Sequence, residues 1–412
     1  MRWGYPASMR TLGWLGLLLM LGCVRAAPRA DDSDASGWLP HNRDRLEALL
    51  ASRGRGAQGF DPAQPPVAAF DWDNTMMKND IGDATFYWML RHDAVLQPPG
   101  RDWSHTSRKL TPAARAALNA ACDSAAEPGQ PLPTSRVAAC ADAIVEIYDA
   151  GRTPAGEEAW AGQITLTDNA AYQWTAQLTA GHTLEEARQF ARAALAENTA
   201  APQGSVQTVG THRALAGWVR IYPQMRALVR RLREHGFDVW VVSASPQPFA
   251  EVVAAEVGIA ADRVIGIRLV LDADQRLTPR VQGCGPAADG EDTIISFNEG
   301  KRCWINKVIF AAAPQLQLTR LAPPRRVAFA AGDSDTDVAF VKDADLKLVI
   351  DRHKPELMCN AHAGRAGSWL VQPMFLEPLP PQSAPYPCAS AKNAAGAPYL
   401  DEAGQPIADQ RE

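Results

Sequence analysis

The stretch Val67-Ala68-Ala69-Phe70-Asp71-Trp72-Asp73-Asn74-Thr75 decides the fold, because an apolar run ends in two carboxylates. A short apolar run of this kind is typical of a strand that is buried on both faces. Side chains alternate between the two faces of an extended chain, so Asp71 and Asp73 point the same way. Two carboxylates this close repel each other unless a cation or a shared proton offsets the cost. The stretch therefore indicates a metal site with two-carboxylate chemistry, and a solvated acidic turn is the alternative that it leaves open.

Length and composition describe a globular protein of one large domain or two ordinary ones. The chain has 412 residues, of which 46% are hydrophobic and 21% are charged. Such values are typical of a protein that buries a substantial core. The formal net charge is -5 and no dense basic run occurs. We therefore expect no nucleic-acid partner.

The first 27 residues are typical of a signal peptide, and we predict that the protein is exported. Two arginines precede the apolar stretch Leu12–Leu21, which is too short to span a bilayer and runs into small residues. The sequence Leu21-Gly22-Cys23 also resembles a bacterial lipobox, in which Cys23 is lipidated and anchors the protein to a membrane. Cleavage near Ala26 or Ala27 is the competing interpretation and gives a periplasmic protein. The sequence does not choose between the two.

Six cysteines follow the signal peptide, and an even number suggests disulfide bonds in an exported protein. They are Cys122, Cys140, Cys284, Cys303, Cys359 and Cys388. We predict nearest-neighbour pairs, 122–140, 284–303 and 359–388, which close three modest loops. Free buried thiols are the alternative. The cysteines and histidines are not clustered at metal-ligand spacing, so we expect no structural zinc site.

Strand and helix signals alternate on either side of a long helical segment. Strands are expected at 67–70, 237–242, 264–271, 326–331 and 346–350, and helices outside the segment at 39–51, 223–235, 249–257 and 301–311. Helices within the segment are expected at 84–92, 112–121, 137–150, 170–178 and 184–198, with Thr183 as the N-cap of the last one. This alternation predicts an α/β fold, a doubly wound parallel sheet with an inserted helical cap.

We therefore predict five parts of the chain. Residues 1–27 form the signal peptide and residues 28–59 a linker and N-terminal extension. The core comprises residues 60–79 and 216–376, and the cap comprises residues 80–215. A tail rich in proline and alanine, residues 377–412, is expected to be irregular or extended.

Four groups of polar residues lie where strands end or helices begin, so one edge of the sheet brings them together. They are Asp71 with Asp73, Ser243, Lys301, and Asp333 with Asp337. Converging carboxylates need a hard cation, and ligands that are all oxygen suit Mg²⁺. A hydroxyl and an ammonium group are suited to binding a tetrahedral anion. Lys307 is an alternative to Lys301, Asp335 is an alternative to Asp337, and we interpret Ser245 as a structural cap.

These motifs, in this order, resemble the four signature motifs of the haloacid dehalogenase superfamily. The matching stretches are Phe70-Asp71-Trp72-Asp73-Asn74-Thr75, Val241-Val242-Ser243-Ala244-Ser245, Gly300-Lys301 and Gly332-Asp333-Ser334-Asp335-Thr336-Asp337. The resemblance covers the predicted core, and the helical segment falls where this superfamily inserts its type-1 cap. Within the superfamily, the chain is most similar to phosphoserine-phosphatase-like and phosphorylcholine-phosphatase-like members. The stretch Asn79-Asp80-Ile81-Gly82, which follows the first motif, resembles the exported bacterial members of this branch.

The resemblance implies Mg²⁺ as the cofactor and a role for each acidic residue. Asp71 is the nucleophile that becomes a phosphoaspartate, and Asp73 is the general acid and then the general base. Asp71 and Asp333 ligate the metal together with the backbone carbonyl of Asp73. Asp337 ligates it through water or supports the other ligands.

Ser243 and Lys301 are implied to bind the phosphoryl oxygens of a small phosphate monoester. The acid at Asp73 favours ester hydrolysis over dehalogenation, because an alkoxide leaving group needs a proton whereas a halide does not. The sequence therefore predicts a phosphomonoesterase. A phosphotransferase of the same fold and a catalytically idle cell-surface binding protein are the alternatives.

The sequence leaves the physiological substrate open, and phosphocholine and phosphoserine are two candidates. Five tryptophans in or beside the predicted cap are suited either to caging a quaternary ammonium group or to packing the core of the cap. They are Trp88, Trp103, Trp160, Trp174 and Trp218. Both interpretations are consistent with the sequence.

Overall fold

The computed structural model describes residues 36–364 and 366–411, so the predicted signal peptide and Cys23 lie outside the described residues. The strands are β1 (Val67–Phe70), β2 (Met77–Lys78), β3 (Val206–Val209), β4 (His212–Ala216), β5 (Arg220–Ile221), β6 (Asp238–Pro246), β7 (Val264–Ile267), β8 (Leu269–Leu271), β9 (Leu277–Val281), β10 (Phe329–Gly332), β11 (Leu346–Asp351) and β12 (Trp369–Pro373). The α-helices are α1 (Pro40–Arg53), α2 (Ile81–Arg91), α3 (Pro112–Cys122), α4 (Ala138–Asp149), α5 (Ala170–Gln177), α6 (Leu184–Ala200), α7 (Pro223–Glu234), α8 (Gln247–Glu256), α9 (Glu299–Val308), α10 (Val338–Asp343) and α11 (Pro355–Ala363).

Six strands form one parallel sheet in the order β12-β11-β10-β1-β6-β7. The central strand β1 pairs with β10 through Phe70 and Ala331, and with β6 through Phe70 and Val241. All four residues of β1 are buried. The parallel sheet with helices between its strands confirms the predicted α/β fold.

The sheet is wound in two directions from its centre. The chain runs from β1 to β6 and β7 on one side, and then starts the other side at β10 and continues to β12. Loops that leave β1 and β10 therefore diverge, and ligands of such sheets bind in the crevice between them. The fold thus creates a crevice beside Asp71, which follows β1.

The two faces of β1 contribute to two different hydrophobic cores, as the alternation of side chains along a strand requires. Ala68 and Phe70 belong to a large core that extends into the helices between α2 and α6. Val67 and Ala69 belong to a second core beneath α9, α10 and α11. Both faces of the sheet are therefore covered.

The segment between residues 80 and 215 contains the five predicted helices, α2 to α6. Thr183 caps α6 as predicted: its hydroxyl accepts a hydrogen bond from the backbone of Glu186, and its own backbone N–H donates to the Glu186 carboxylate. The same segment holds most of the hairpin β3–β4, which we did not predict from the sequence. Its side chains are largely exposed and do not alternate between apolar and polar. The division of the chain into a core and a cap at these residues stays a prediction.

The predicted strand 264–271 is in fact two strands that belong to different sheets. The parallel sheet ends with β7, whereas β8 pairs antiparallel with β9. The chain changes partner at Arg268, whose guanidinium group donates to the Val264 carbonyl and to the Gln247 side chain. Arg268 is the one charged residue in the apolar run, and it marked the break that the prediction of a single strand passed over.

Three disulfide bonds connect the cysteines in the predicted nearest-neighbour pairs. They join Cys122 to Cys140, Cys284 to Cys303, and Cys359 to Cys388. The first bond links α3 to α4, the second fixes α9 to the loop before it, and the third ties the tail to α11. Each loop closure of this size is worth about 2–4 kcal/mol of stability.

The described part of the tail, residues 377–411, contains no helix or strand, as predicted. It is held by side-chain contacts as well as by its disulfide. Trp369 in β12 donates a hydrogen bond of 2.8 Å to Glu402, which also pairs with Lys347. Among the residues that the structure describes, no helix is both long enough and apolar enough to cross a membrane.

A buried carboxyl group in α11 makes the stability of the fold depend on pH. Burial, and then the nearby Asp335, raise the pKa of Glu356 from its ordinary value of 4.5 to about 7. The folded state therefore holds this proton over a pH range in which the unfolded chain has lost it. It follows that stability falls as the pH rises from about 4.5 to about 7.

We predict that Glu356→Gln removes this fall in stability with rising pH. At pH 8 the variant should have a free energy of unfolding roughly 2–3 kcal/mol above that of the wild type, and the gain should shrink toward zero near pH 4. Urea unfolding of both proteins at pH 4, 6 and 8 measures the difference. A difference in unfolding free energy that does not change with pH would contradict the raised pKa of Glu356.

Candidate active site

Asp71 lies at the carboxyl end of β1, and both of its carboxylate oxygens are engaged. Its backbone N–H donates to Ala331 in β10, which continues the strand pairing up to the site. Lys301 donates to Oδ1 at 2.6 Å, and the Thr75 hydroxyl oxygen lies 2.8 Å from Oδ2. The same hydroxyl oxygen lies 2.8 Å from Asp333 Oδ1. Because a hydroxyl has one proton, it serves only one of these carboxylates at a time, so the second contact needs a proton or a cation.

Asp333 and Asp337 lie in the turn that follows β10. Asp337 Oδ2 accepts hydrogen bonds of 3.0 Å from the backbone N–H groups of Asp333 and Ser334, which shape the turn around it. A side chain at Gly332 would place its Cβ 2.6 Å from the Cβ of Asp337, so this close approach requires glycine. One oxygen each from Asp71, Asp333 and Asp337 lies within 4.8 Å of the others. The structure therefore brings these three predicted ligands together.

Lys301 lies between two of these carboxylates and has no exposed surface. Its ammonium group is 2.6 Å from Asp71 and 2.6 Å from Asp337. Burial alone would lower the pKa of Lys301, but the two carboxylates raise it, so the group is cationic. The preceding Gly300 is needed because a Cβ there would lie 1.8 Å from the carbonyl oxygen of Ile295.

Lys307, the alternative lysine, lies elsewhere. Its ammonium group donates to the carbonyl of Gly283 at 2.6 Å and lies over the ring of Trp304. It has no contact with the carboxylates of the site. The geometry therefore favours Lys301 of the two.

Asp73 points away from the three-carboxylate cluster, toward the end of β6 and the start of α2. Its Oδ1 accepts a hydrogen bond of 2.7 Å from the backbone of Ile81, and its Oδ2 accepts one of 2.8 Å from the hydroxyl of Ser245. Burial, followed by the charge of Asp80, raises the pKa of Asp73 well above its usual range. Burial likewise raises the pKa of Asp71, to about 6. Asp73 therefore holds its proton more tightly than an exposed aspartate does.

Ser243 and Ser245 both lie near the end of β6; the role of Ser243 in phosphate binding stays a prediction, whereas Ser245 differs from our expectation. Ser243 Oγ accepts a hydrogen bond from the backbone of Ser245 and is 3.4 Å from Asp73. The prediction that Ser245 is a structural cap is wrong, because its hydroxyl binds Asp73. The N-cap position of α8 is Pro246, which makes no side-chain capping bond.

The charges of the cluster do not balance without a further cation. Three buried carboxylates face two cationic side chains, Lys301 and Arg352, and the latter lies 2.6 Å from Asp333. One negative charge is left over, which is costly in a buried site. All donors are carboxylate oxygens, the ligand type that hard divalent cations prefer. The residues thus fit a divalent metal ion.

A cavity of about 420 Å³ opens over this cluster. Its walls include Asp71, Asp73, Ser245, Asp333 and Arg352, and, from the helical segment and its hairpin, Asp80, Asp83, Tyr172 and Trp218. A second cavity of about 410 Å³ shares Asp80, Asp83 and Tyr172 with it and extends among α4, α5 and the loop before α5. Asp80 caps α2 by accepting from the backbone of Asp83 at 3.0 Å, so it is both a helix cap and part of the cavity wall.

The cage of five tryptophans suggested by the sequence does not form. Trp103 and Trp174 are fully buried and pack against each other, and Trp160 packs on the edge of Trp174. Trp88 stacks on His92. Of the five, Trp218 lines the cavity over the cluster and Trp160 the second cavity, whereas the other three pack among neighbouring side chains.

A family model of the haloacid dehalogenase-like hydrolases matches residues 68–342, which is more than half of the chain. The chain belongs to the haloacid dehalogenase-like hydrolase family. The matched range begins in β1 and ends in α10, so it includes every residue of the site described above except Arg352.

Solved structures support the fold. A conserved protein of unknown function from Anaerococcus prevotii DSM 20548 has a TM-score of 0.58 at 20% identity, over 82% of this chain and 92% of that chain. A protein of unknown function from Bordetella pertussis Tohama I has a TM-score of 0.44 at 18% identity, over 75% and 98%. A substrate-bound phosphoserine phosphatase has a TM-score of 0.33 at 12% identity, over 76% and 94%. The two lower scores are too low to indicate a shared fold, and no curated protein sequence matches the chain.

Two residues of this hydrolase site were not predicted from the sequence. Arg352 follows β11 and binds Asp333, so its position after a parallel strand was a signal that could have indicated it. Thr75 belongs to the first motif, but its contact with both Asp71 and Asp333 depends on the turn that follows β1. Only the folded turn reveals that contact.

We predict that Lys301→Met destabilises the chelator-treated protein by roughly 3–5 kcal/mol, because it leaves buried carboxylates without their cation. Lys307→Met should cost less than about 1 kcal/mol, since that ammonium group is partly exposed and donates to a single carbonyl. Urea unfolding of the two variants beside the wild type measures both effects. Equal losses in the two variants would contradict the assignment of Lys301 to the cluster.

Proposed function

We propose that the protein is a Mg²⁺-dependent phosphomonoesterase. The observation that carries this proposal is the cluster of Asp71, Asp333 and Asp337, whose oxygens lie within 4.8 Å of one another around a buried lysine. A second buried carboxyl group, Asp73, lies two residues from Asp71 and is held apart from the cluster. Ester cleavage by a carboxylate requires such a pair, one group as the nucleophile and the other as the acid.

In the first step we propose, an oxygen of Asp71 attacks the phosphorus atom and the bond from phosphorus to the ester oxygen breaks. The carboxyl proton of Asp73 moves to that oxygen, so the alcohol leaves neutral. In the second step Asp73 accepts a proton from water, and the water oxygen attacks the phosphoaspartate. Phosphate leaves and Asp71 is restored. Proton transfer of this kind contributes about 10²–10⁴-fold in rate.

The residues that would hold Mg²⁺ are Asp71, Asp333 and the backbone carbonyl of Asp73, with Asp337 as a direct or supporting ligand. When bound, the ion supplies positive charge that offsets the negative charge of the phosphoryl group. Ser243 and Lys301 would hold the phosphoryl oxygens, as the resemblance implies. Arg352 lines the cavity over the cluster and adds a further positive charge there.

Phosphoryl transfer to another alcohol uses the same first step, so it is the second candidate. The two reactions differ in the second step, where hydrolysis releases inorganic phosphate and transfer yields a new ester. An idle binding protein would not need a second buried carboxyl group held apart from the cluster, and the presence of Asp73 therefore favours an enzyme.

For the substrate, the wall of the second cavity favours a leaving group that is neutral or positively charged. Asp80, Asp83, Asp149 and Asp168 line the second cavity together with a single lysine, Lys109, which pairs with Asp168. Such a surface repels a second anionic group in the leaving alcohol. Phosphocholine and phosphoserine both carry a cationic nitrogen and remain the candidates, with phosphoserine disfavoured by its carboxylate.

Export from the cytoplasm belongs to the same proposal. The three disulfide bonds support it, because such bonds persist in oxidising compartments. The choice between a periplasmic protein and one anchored through a lipidated Cys23 depends on residues outside the described range. Mass spectrometry of the N-terminal peptide distinguishes the two.

We predict that the purified protein releases inorganic phosphate from p-nitrophenyl phosphate in the presence of Mg²⁺ and that a chelator abolishes the release. Asp71→Asn should lower kcat by at least about 10³-fold, because it removes the nucleophile. The matched control is Asp274→Asn, an exposed aspartate far from the site, which should keep wild-type turnover. Wild-type turnover by Asp71→Asn would contradict the proposed mechanism. In a parallel assay with an added alcohol, a new phosphate ester formed in place of phosphate would favour the transferase.

A further inference from the structure

We propose that Ser245 is a positioning residue that fixes the orientation of the Asp73 carboxyl group during proton transfer to the leaving alcohol. The inference rests on the proposed function, since it assigns a residue to the first step of that reaction. In this step the bond between Asp71 and phosphorus forms, the bond from phosphorus to the ester oxygen breaks, and the Asp73 proton moves to that oxygen.

Asp73 is held at both of its oxygens by two different parts of the fold. The hydroxyl of Ser245, at the end of β6, lies 2.8 Å from Oδ2, and the backbone N–H of Ile81, at the start of α2, lies 2.7 Å from Oδ1. Ser245 is 6% exposed, so little water competes for this bond. Two contacts on opposite oxygens prevent rotation of the carboxyl group about its own axis, and they therefore fix where its proton points.

Ser245 is better placed for this role than Ser243. The Ser243 hydroxyl is 3.4 Å from Asp73, beyond the usual range of a strong hydrogen bond between oxygens. Ser243 Oγ also accepts a hydrogen bond of 3.0 Å from the backbone N–H of Ser245, so its hydroxyl oxygen is already engaged with the neighbouring turn of chain.

Gly82 is the second observation that points to this contact. A Cβ at this position would lie 2.8 Å from the Ser245 hydroxyl oxygen and 2.9 Å from Asp80 Oδ1. Any side chain at Gly82 would therefore displace the hydroxyl from its place beside Asp73. The absence of a side chain at this point in α2 is what allows the end of β6 to reach the acid.

The proposal predicts a loss that depends on the leaving group. Benzyl phosphate leaves as an alkoxide and needs the Asp73 proton, whereas p-nitrophenolate leaves with little assistance. Ser245→Ala should lower kcat/KM for benzyl phosphate by about 10- to 100-fold and for p-nitrophenyl phosphate by less than about 3-fold. A residue with a purely structural role would lower both in the same proportion.

Two further variants sharpen the test. Gly82→Ala should reproduce the selective loss without removing the hydroxyl, which keeps the test available if Ser245→Ala folds poorly. Ser296→Ala is the matched control, because Ser296 is equally buried but donates its hydroxyl to the Ser243 carbonyl and not to Asp73. Its effect on the two substrates should be proportional.

A double variant tests whether Ser245 acts through Asp73. In an Asp73→Ala background, Ser245→Ala should change kcat/KM for either substrate by no more than about 2-fold, because its partner is gone. A parallel loss on both substrates in the single variants, or a full additional loss in the double variant, would overturn the inference alone. A wild-type protein that cleaves neither substrate with Mg²⁺ would overturn the proposed function itself, and the inference with it.

Discussion

The contact of Lys301 with Asp71 and Asp337 is the interaction on which the rest of the site depends. A lysine with no exposed surface keeps its charge only if carboxylates lie against it, and carboxylates that are buried together stay close only if cations lie between them. Lys301 satisfies both conditions at 2.6 Å on each side. The arrangement still leaves one negative charge uncompensated, so the cluster fits a further cation. A single electrostatic constraint therefore links the position of α9 to the turn after β10.

The sheet supplies the geometry that this constraint needs. Asp71 and Asp333 follow neighbouring parallel strands, and the pairing of Phe70 with Ala331 brings the two carboxylates to the same end of the sheet. Glycines at two points, Gly300 and Gly332, allow the backbone to approach closely enough for Lys301 and Asp337 to reach inward. On the other side of β1, the end of β6 holds Asp73 apart from the cluster. The same sheet edge thus separates Asp71, which lies against the Lys301 ammonium group, from Asp73, whose pKa is raised by burial.

Much of this was predictable from the sequence, because it depends on local patterns. The strand before Asp71, the helix capped by Thr183 and the alternation of strands and helices all follow from the spacing of apolar and capping residues. The disulfide pairs also follow from short separations along the chain. Contacts between distant segments were not predictable in the same way.

The exchange of strand partner at Arg268 depends on a guanidinium group that folds back onto Gln247. The hairpin β3–β4 has too few buried side chains to show an alternation of apolar and polar residues. Ser245 could be read as a cap because the residue before a helix often is one, and only the position of Gly82 opposite it shows why it binds Asp73. Arg352 and Thr75 acquire their contacts with Asp333 from turns whose shape the sequence does not state.

The measurement that tests the central claim most directly is a calorimetric titration of the chelator-treated protein with Mg²⁺. The account predicts one ion per chain, and at least about a 10-fold weaker affinity in Asp333→Asn, which removes a ligand charge without changing the size of the side chain. Asp335→Asn, in the same turn but outside the cluster, serves as the control and should bind like the wild type. Undiminished binding by Asp333→Asn, or no binding by the wild type, would contradict the account.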